Sequence, residues 1–313
     1  MTVLLRSSEV EDLIDLKTAM AVLEETYVGQ ANGQVRAIPP LRLMDRGIRM
    51  VAGGLDGPDR VGVRLSPTGG DAVALLYEMS SGRLLSLMNY PFSELRIAAT
   101  VGLALDRLAP PDSKSAALIG SGRLAPSLLQ AAAGLRPIER VRVYSRGAER
   151  RETFARQASS DFGLDVTAVS DPGEALAGAD FVLVSTNSPE PALRGAWLRP
   201  GQPVFGCGRP NEFDDDTYLR AALIVVSSKA HELGYYDTRL DQPLIRLSRE
   251  ERIAWDDVME LGQLVTLEGP PPGLDGGIAV FRESQGGYSD VALASFAYEE
   301  AVRRGRGQNI VLD

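Results

Sequence analysis

Ser113-Lys114-Ser115-Ala116-Ala117-Leu118-Ile119-Gly120-Ser121-Gly122-Arg123-Leu124-Ala125 is the stretch that decides the fold. Residues 116–119 form a short apolar run that reads as a buried strand. A glycine turn follows at once, and Leu124, Leu128, Leu129 and Ala132 then recur at helical spacing. Strand, tight turn and helix in that order are the setting a dinucleotide fingerprint requires. Gly120 permits the turn, Gly122 lets the backbone approach a pyrophosphate, and Ala125 keeps the helix close to the sheet. The helix N-terminus adds free N–H groups and a positive dipole end. Gly120, Ser121, Gly122, Arg123, Leu124 and Ala125 are therefore expected to cradle the diphosphate of a nicotinamide dinucleotide. The motif alone also fits an ordinary strand-to-helix turn, so the next strand has to decide.

That strand is Arg140-Val141-Arg142-Val143-Tyr144, roughly 25 residues beyond Gly120, where this fold reads the ribose. An NAD site wants a carboxylate at its end. Here the chain continues Ser145-Arg146, with Arg150 and Arg151 one helical turn on. Arginines in place of the acid suit a 2′-phosphate, which guanidinium binds bidentately. The expected cofactor is NADP(H), with NAD(H) as the alternative; Ser145, Arg146 and Arg150 are assigned to it. The competing reading makes these arginines a solvated helix face.

The 313 residues exceed one typical domain, which predicts two. No apolar run approaches the length of a membrane span. Met1 to Leu5 followed by Arg6 and acidic residues does not read as a secretion signal, so a cytoplasmic protein is expected. The single cysteine, Cys207, excludes an intrachain disulfide and a cysteine-based metal cluster. The single histidine, His231, excludes a His-rich metal site and argues against a Ser–His–Asp hydrolase. A net charge of −9 argues against nucleic-acid binding.

Leu13, Leu16, Met20, Leu23 and Tyr27 share one face, predicting a helix over 9–30. Residues 37–46 contain Pro39-Pro40 and read at best as an edge strand. Strands are expected at 61–65, 72–77 and 84–88, the last two joined across Ser80-Ser81-Gly82. Ser93 is expected to cap a helix carrying Leu95, Ala98, Ala99, Leu103 and Leu105. Pro110-Pro111-Asp112 marks a boundary. Beyond it, strands at 116–119, 141–144, 166–169, 181–185, 204–206 and 223–226 alternate with helices, including 148–160 and 172–177, which predicts a parallel sheet. Residues 289–304 form an amphipathic helix.

Several stretches together resemble the ornithine cyclodeaminase/mu-crystallin family. They are Leu41-Arg42, Val61-Gly62-Val63-Arg64, the hairpin from Leu75 to Arg83, and Ser93-Glu94-Leu95-Arg96. The glycine turn, Glu174 to Asp180, Thr186 to Pro191, Leu198 to Gly201, Glu212-Phe213-Asp214 and residues 281–290 complete the set. The resemblance implies an α/β fold: a Rossmann-type doubly wound parallel sheet (112–290) inserted in a smaller α+β substrate and dimerisation domain (1–111 plus 291–313). It also implies homodimers and nicotinamide-dependent chemistry on a small amino or imino acid.

Such chemistry must grip a carboxylate and present the α-carbon to the nicotinamide. Arg42 and Arg96, matching family arginines, are assigned to the carboxylate, with surface salt bridging as the bland alternative. Arg64 replaces the family's usual substrate-binding lysine; it keeps the charge but cannot give up a proton. The cyclodeaminases carry an Asp after the strand at 204–206, whereas this chain reads Gly206-Cys207-Gly208-Arg209-Pro210-Asn211-Glu212. Glu212 and Asp214 are the nearby carboxylates left as catalytic candidates. Thr186, Asn187 and Ser228 follow strands whose ends face a cofactor cleft, or else are loop and cap residues. Cys207 and His231 read as packing residues.

Three functions compete. One is a cyclodeaminase-like enzyme, converting ornithine to proline plus ammonia. The second is an NADPH-dependent ketimine reductase or amino-acid dehydrogenase. The third is a mu-crystallin-like NADP-binding protein without turnover.

Overall fold

The computed structural model describes residues 2–42, 47–67, 69–235, 240–274, 276–284 and 286–311. The chain divides into two compact units. The first comprises Met1–Ala99, Ser228–Asp237 and Gln285–Asp313; the second comprises Thr100–Ser227 and Thr238–Ser284. The division falls inside the helix Ser93–Leu108 and not at Pro110-Pro111, and 228–237 returns to the first unit. No described helix is long and apolar enough to cross a membrane.

The first unit is built on a mixed sheet in the order Gln308–Ile310, Thr2–Leu5, Leu84–Asn89, Val73–Glu78, Arg60–Pro67, Ile48–Leu55 and Val35–Ala37; Leu41–Arg42 also pairs with Ile48–Leu55. The hairpin expected across Ser80-Ser81-Gly82 is present, with Leu75 opposite Leu87. Ile48–Leu55, eight residues long, is a strand not expected from the sequence, and it carries Gly53-Gly54 where strands favour branched residues. Gly53 has a different purpose. A Cβ there would collide with the backbone of Gly287 and Tyr288, where the helix Gly287–Arg303 crosses the sheet.

The helix expected over 9–30 is two pieces, Ser7–Val10 and Leu16–Ala31. Asp15 accepts from Thr18 N at 2.7 Å, and this cap sets the start of the second piece. Leu13 is buried in the intervening turn. Leu16–Ala31 packs on Gly287–Arg303, where Tyr27 and Tyr288 meet edge to face with centroids 5.9 Å apart. Ser93 is the first helical residue of its helix.

The second unit carries an eight-stranded, all-parallel sheet in the order Asp165–Ala168, Arg140–Tyr144, Ser115–Ile119, Phe181–Val184, Val204–Gly206, Ile278–Arg282, Ala221–Val226 and Met259–Glu260. The chain winds one way from Ser115–Ile119 and then the other, which is the doubly wound arrangement. The expected strands are all here, shifted by at most two residues at an end. Ile278–Arg282 was missed as a strand; it is buried along its whole length and inserts between the strands after Pro203 and Arg220.

Replacing Gly53 by Ala is expected to cost about 3 kcal/mol, because backbone on both sides must move. Urea denaturation of the variant against the parent measures it.

Candidate functional site

The residues singled out in the sequence gather at two places, one in each unit. In the second unit they lie along the carboxyl edge of the parallel sheet, and a ladder of amide bonds builds that edge. Gly120 N donates to Tyr144 O at 2.8 Å, Ser185 N to Ile119 O at 2.9 Å, and Cys207 N to Val184 O at 3.1 Å. Glu283 N continues the row to Gly206 O at 2.8 Å. Each strand thus hands its next residue to the same level.

Gly120 has φ +115°, and a Cβ there would strike Ser185 O, so this turn admits only glycine. Around Gly122 there is open space within 4 Å of a would-be Cβ. The helix Ala125–Leu135 starts after Leu124 with no side-chain cap. Its terminal N–H groups donate to no side-chain cap, and with the dipole end and the open space at Gly122 they form a cradle that fits a diphosphate.

Ser121 Oγ and Ser145 Oγ lie 2.8 Å apart, joining the glycine turn to the end of the second strand. Arg146 and Arg150 are exposed beside them. Arg151 is different: its Nη1 donates to Ser145 O at 2.9 Å and so fixes the loop. Arg123 and Asn187 are exposed, and Thr186 Oγ1 accepts from Ser188 N at 3.1 Å.

The two weak catalytic candidates have structural work. Glu212 is fully buried; its oxygens accept from Gly208 N at 3.0 Å, and Arg282 Nη1 pairs with it at 3.1 Å. Asp214 caps the helix Asp215–Leu219, accepting from Thr217 N and from Gly195 N, both at 2.9 Å. Cys207 is buried, and burial followed by the charge of Glu212 pushes its thiol well up, leaving it neutral. Ser228 caps the helix Lys229–Leu233, accepting from His231 N at 3.4 Å, and is grouped with the first unit. His231 is buried with Nε2 2.9 Å from Ile38 O and packs against Tyr288, a structural setting.

The second place is the interior of the first unit. Arg64, from the strand Arg60–Pro67, and Arg96, from the first turn of Ser93–Leu108, are both buried against Asp290 at the start of Gly287–Arg303. Arg64 Nε donates to Oδ2 at 2.8 Å, and Arg96 Nε stands 2.9 Å from Oδ1. Arg64 Nη1 reaches Ser66 Oγ, its Cζ lies 5.6 Å from the Tyr90 ring centroid, and its Nη2 has no hydrogen-bond partner among the described residues. Burial pushes the Tyr90 hydroxyl well up, reinforced by the Asp290 charge. Burial alone would also raise Asp290, but the charges of Arg64 and Arg96 outweigh it and hold the carboxyl below its usual range. Tyr90 thus keeps its proton and Asp290 its charge near neutrality.

Arg42 pairs through its backbone with Arg49 on Ile48–Leu55, while its side chain lies outside the described residues. Asp290 and Tyr90 were missed in the sequence. Asp290 stands 226 positions from Arg64, and the only signal was general: a buried arginine needs a counter-ion.

Asp290→Asn leaves two buried guanidiniums on a neutral amide, with an expected loss of about 3–5 kcal/mol. Because the folded carboxyl titrates lower than the unfolded one, its contribution is full above the unfolded value and is lost as pH falls through the folded one. Urea midpoints between neutral and strongly acid pH check both: the parent should lose stability on the acid side, and the variant should lose less.

The sequence profile of the ornithine cyclodeaminase/mu-crystallin family matches residues 1–305. A Delta(1)-pyrroline-2-carboxylate reductase of Paracoccus denitrificans is 30% identical over 228 residues, covering 71% of this chain and 70% of that protein. The ketimine reductase mu-crystallin of Rattus norvegicus is 29% identical over 234 residues, 73% of this chain and 69% of that one. The structure of Thermococcus litoralis Delta(1)-pyrroline-2-carboxylate reductase in complex with NADH and L-proline superposes with a TM-score of 0.86 at 26% identity, covering 99% of this chain and all of the other. The glycine turn, the doubly wound sheet and the match over nearly the whole length agree: the chain belongs to the ornithine cyclodeaminase/mu-crystallin family, whose NAD(P)-dependent members act on amino and imino acids.

Proposed function

We propose that this chain is an imine reductase that converts a small α-imino monocarboxylate into the amino acid, with NADP(H) preferred over NAD(H). The observation that carries the reading is the Arg64–Asp290–Arg96 cluster, in which two buried guanidiniums face the same carboxylate. A substrate carboxylate would take the hydrogen bond that Arg64 Nη2, buried, makes to no described residue. Arg96 holds Asp290, and Asp290 in turn fixes the Arg64 fork in one orientation, which prepares it for a planar carboxylate. A reduced nicotinamide held at the glycine turn supplies the hydride for the α-carbon.

Cyclodeamination of ornithine asks more of the protein, since a substrate amine must be deprotonated and ammonia released. Arg64 cannot relay a proton, and Glu212 and Asp214 are engaged in the loop and the helix cap. The names of the relatives, pyrroline-2-carboxylate reductase and ketimine reductase, support the simpler reaction. The coenzyme preference rests on Arg146 and Arg150, exposed at the ribose-reading position with no acid there. A homodimer, expected from the family, belongs to the same reading.

Incubation with a cyclic α-imino acid should consume reduced coenzyme in proportion to imine. Ornithine turnover with ammonia release and no lasting coenzyme change would overturn the reading. Replacing Arg146 and Arg150 together by Ala should weaken NADPH binding roughly 10- to 100-fold and NADH binding far less, as fluorescence titration reads. Arg64→Lys keeps the charge and loses the fork; the KM for the imino acid should rise about tenfold with coenzyme affinity unchanged.

A further inference from the structure

A guanidinium that meets a carboxylate edge-on has to be fixed in tilt as well as in place. Arg64 Nε donates to Asp290 Oδ2 at 2.8 Å, and its Nη1 donates to Ser66 Oγ. Both bonds leave in the plane of the guanidinium, so they restrain rotation about the line joining the two acceptors only weakly. We propose that Tyr90 is the positioning residue that removes this freedom, its ring face holding the Arg64 guanidinium at the tilt from which Nη2 meets a substrate carboxylate. The inference rests on the imine-reductase reading above, and every residue it uses belongs to the first unit.

The sheet delivers the ring. Arg64 is the register partner of Ala74, and Ala74 of Met88, so the three form one row across Arg60–Pro67, Val73–Glu78 and Leu84–Asn89. Tyr90 comes two residues after Met88, and its N donates to Ala72 O at 2.8 Å, which carries the ladder one step further. By alternation Tyr90 points to the same face as Met88, Ala74 and Arg64. Ala74, in the middle of the row, places only a methyl group between the arginine and the later strand.

Arg64 Cζ lies over the Tyr90 ring, 5.6 Å from its centroid, within the range in which a cation is drawn to an aromatic face. Phe92 holds that ring in turn, edge to face, with centroids 5.4 Å apart. Arg64, Tyr90 and Phe92 are all buried, which leaves little water to screen the attraction. The same short stretch brings in the second arginine, as Arg96 N donates to Phe92 O at 2.8 Å where the helix Ser93–Leu108 begins. Burial and the Asp290 charge keep the Tyr90 hydroxyl protonated, so what the residue contributes is its ring face and not a proton. Phenylalanine can therefore stand in for it, and leucine cannot.

The test is the KM for a cyclic α-imino acid, measured on the full-length protein with saturating reduced coenzyme. Tyr90→Phe keeps the face, and its KM should stay within about twofold of the parent's. Tyr90→Leu should raise KM roughly tenfold with coenzyme affinity unchanged. In the Arg64→Lys background there is no fork to tilt, and the same replacement should change KM by less than about threefold. Equal rises in both backgrounds, or a Tyr90→Leu protein with the parent's KM, would overturn the assignment. Should Tyr90→Leu not fold, phenylalanines with increasing ring fluorination at position 90 keep the shape and weaken the negative face stepwise. KM should climb along that series, and a flat series overturns the assignment equally. Failure of the underlying reading looks different: Arg64→Lys would then keep the parent's KM, or the parent would reduce no imine, and the role of Tyr90 would fall with it.

Discussion

A single carboxylate holds two arginines in the interior of the first unit, and much of that unit's design follows from this. Two guanidiniums buried alone would be prohibitively costly, and Asp290 is what makes their burial tolerable. Its position is in turn set by the helix Gly287–Arg303, which can approach the sheet only because Gly53 and Gly287 present no Cβ at the crossing. Sheet glycine, helix start, carboxylate and arginine pair form one chain of dependence. The product is a guanidinium fork of fixed charge and fixed orientation, suited to gripping a carboxylate and unsuited to moving protons.

The second unit solves a different problem with backbone alone. Its parallel strands each donate one further amide to the neighbouring strand, so the residues after the strands are aligned before any ligand arrives. Gly120 sits in that row at a φ that L side chains rarely adopt, and the uncapped helix behind it leaves N–H groups for an anion. Arg146 and Arg150 are exposed after the second strand, and Cys207 and Glu283 follow the later ones, buried.

Most of the second unit could be read from local pattern. Apolar runs of four or five residues alternating with helical spacing identify a parallel sheet, and the glycine turn identifies its first crossover. The first unit was harder. Ile48–Leu55 carries two glycines where a strand prefers branched residues, because the helix needs the room. The helix expected over 9–30 breaks before Leu16, since the Asp15 cap outweighs the apolar periodicity running through Leu13. Arg64 and Arg96 were singled out individually, but that they share one counter-ion was invisible. Glu212 and Asp214 show the reverse: carboxylates close to a strand end in sequence, they hold a loop and a helix in the fold.

The sequence by itself determined the sheet type and the glycine turn that opens its first crossover, because these depend on residues within a few positions of one another. Only the tertiary structure decided that Asp290 neutralises one of the two buried arginines, and that Glu283 joins the row of Gly120, Ser185 and Cys207. Those pairings bring together residues as far as 226 positions apart, through helix crossing and strand order, and no local periodicity encodes either.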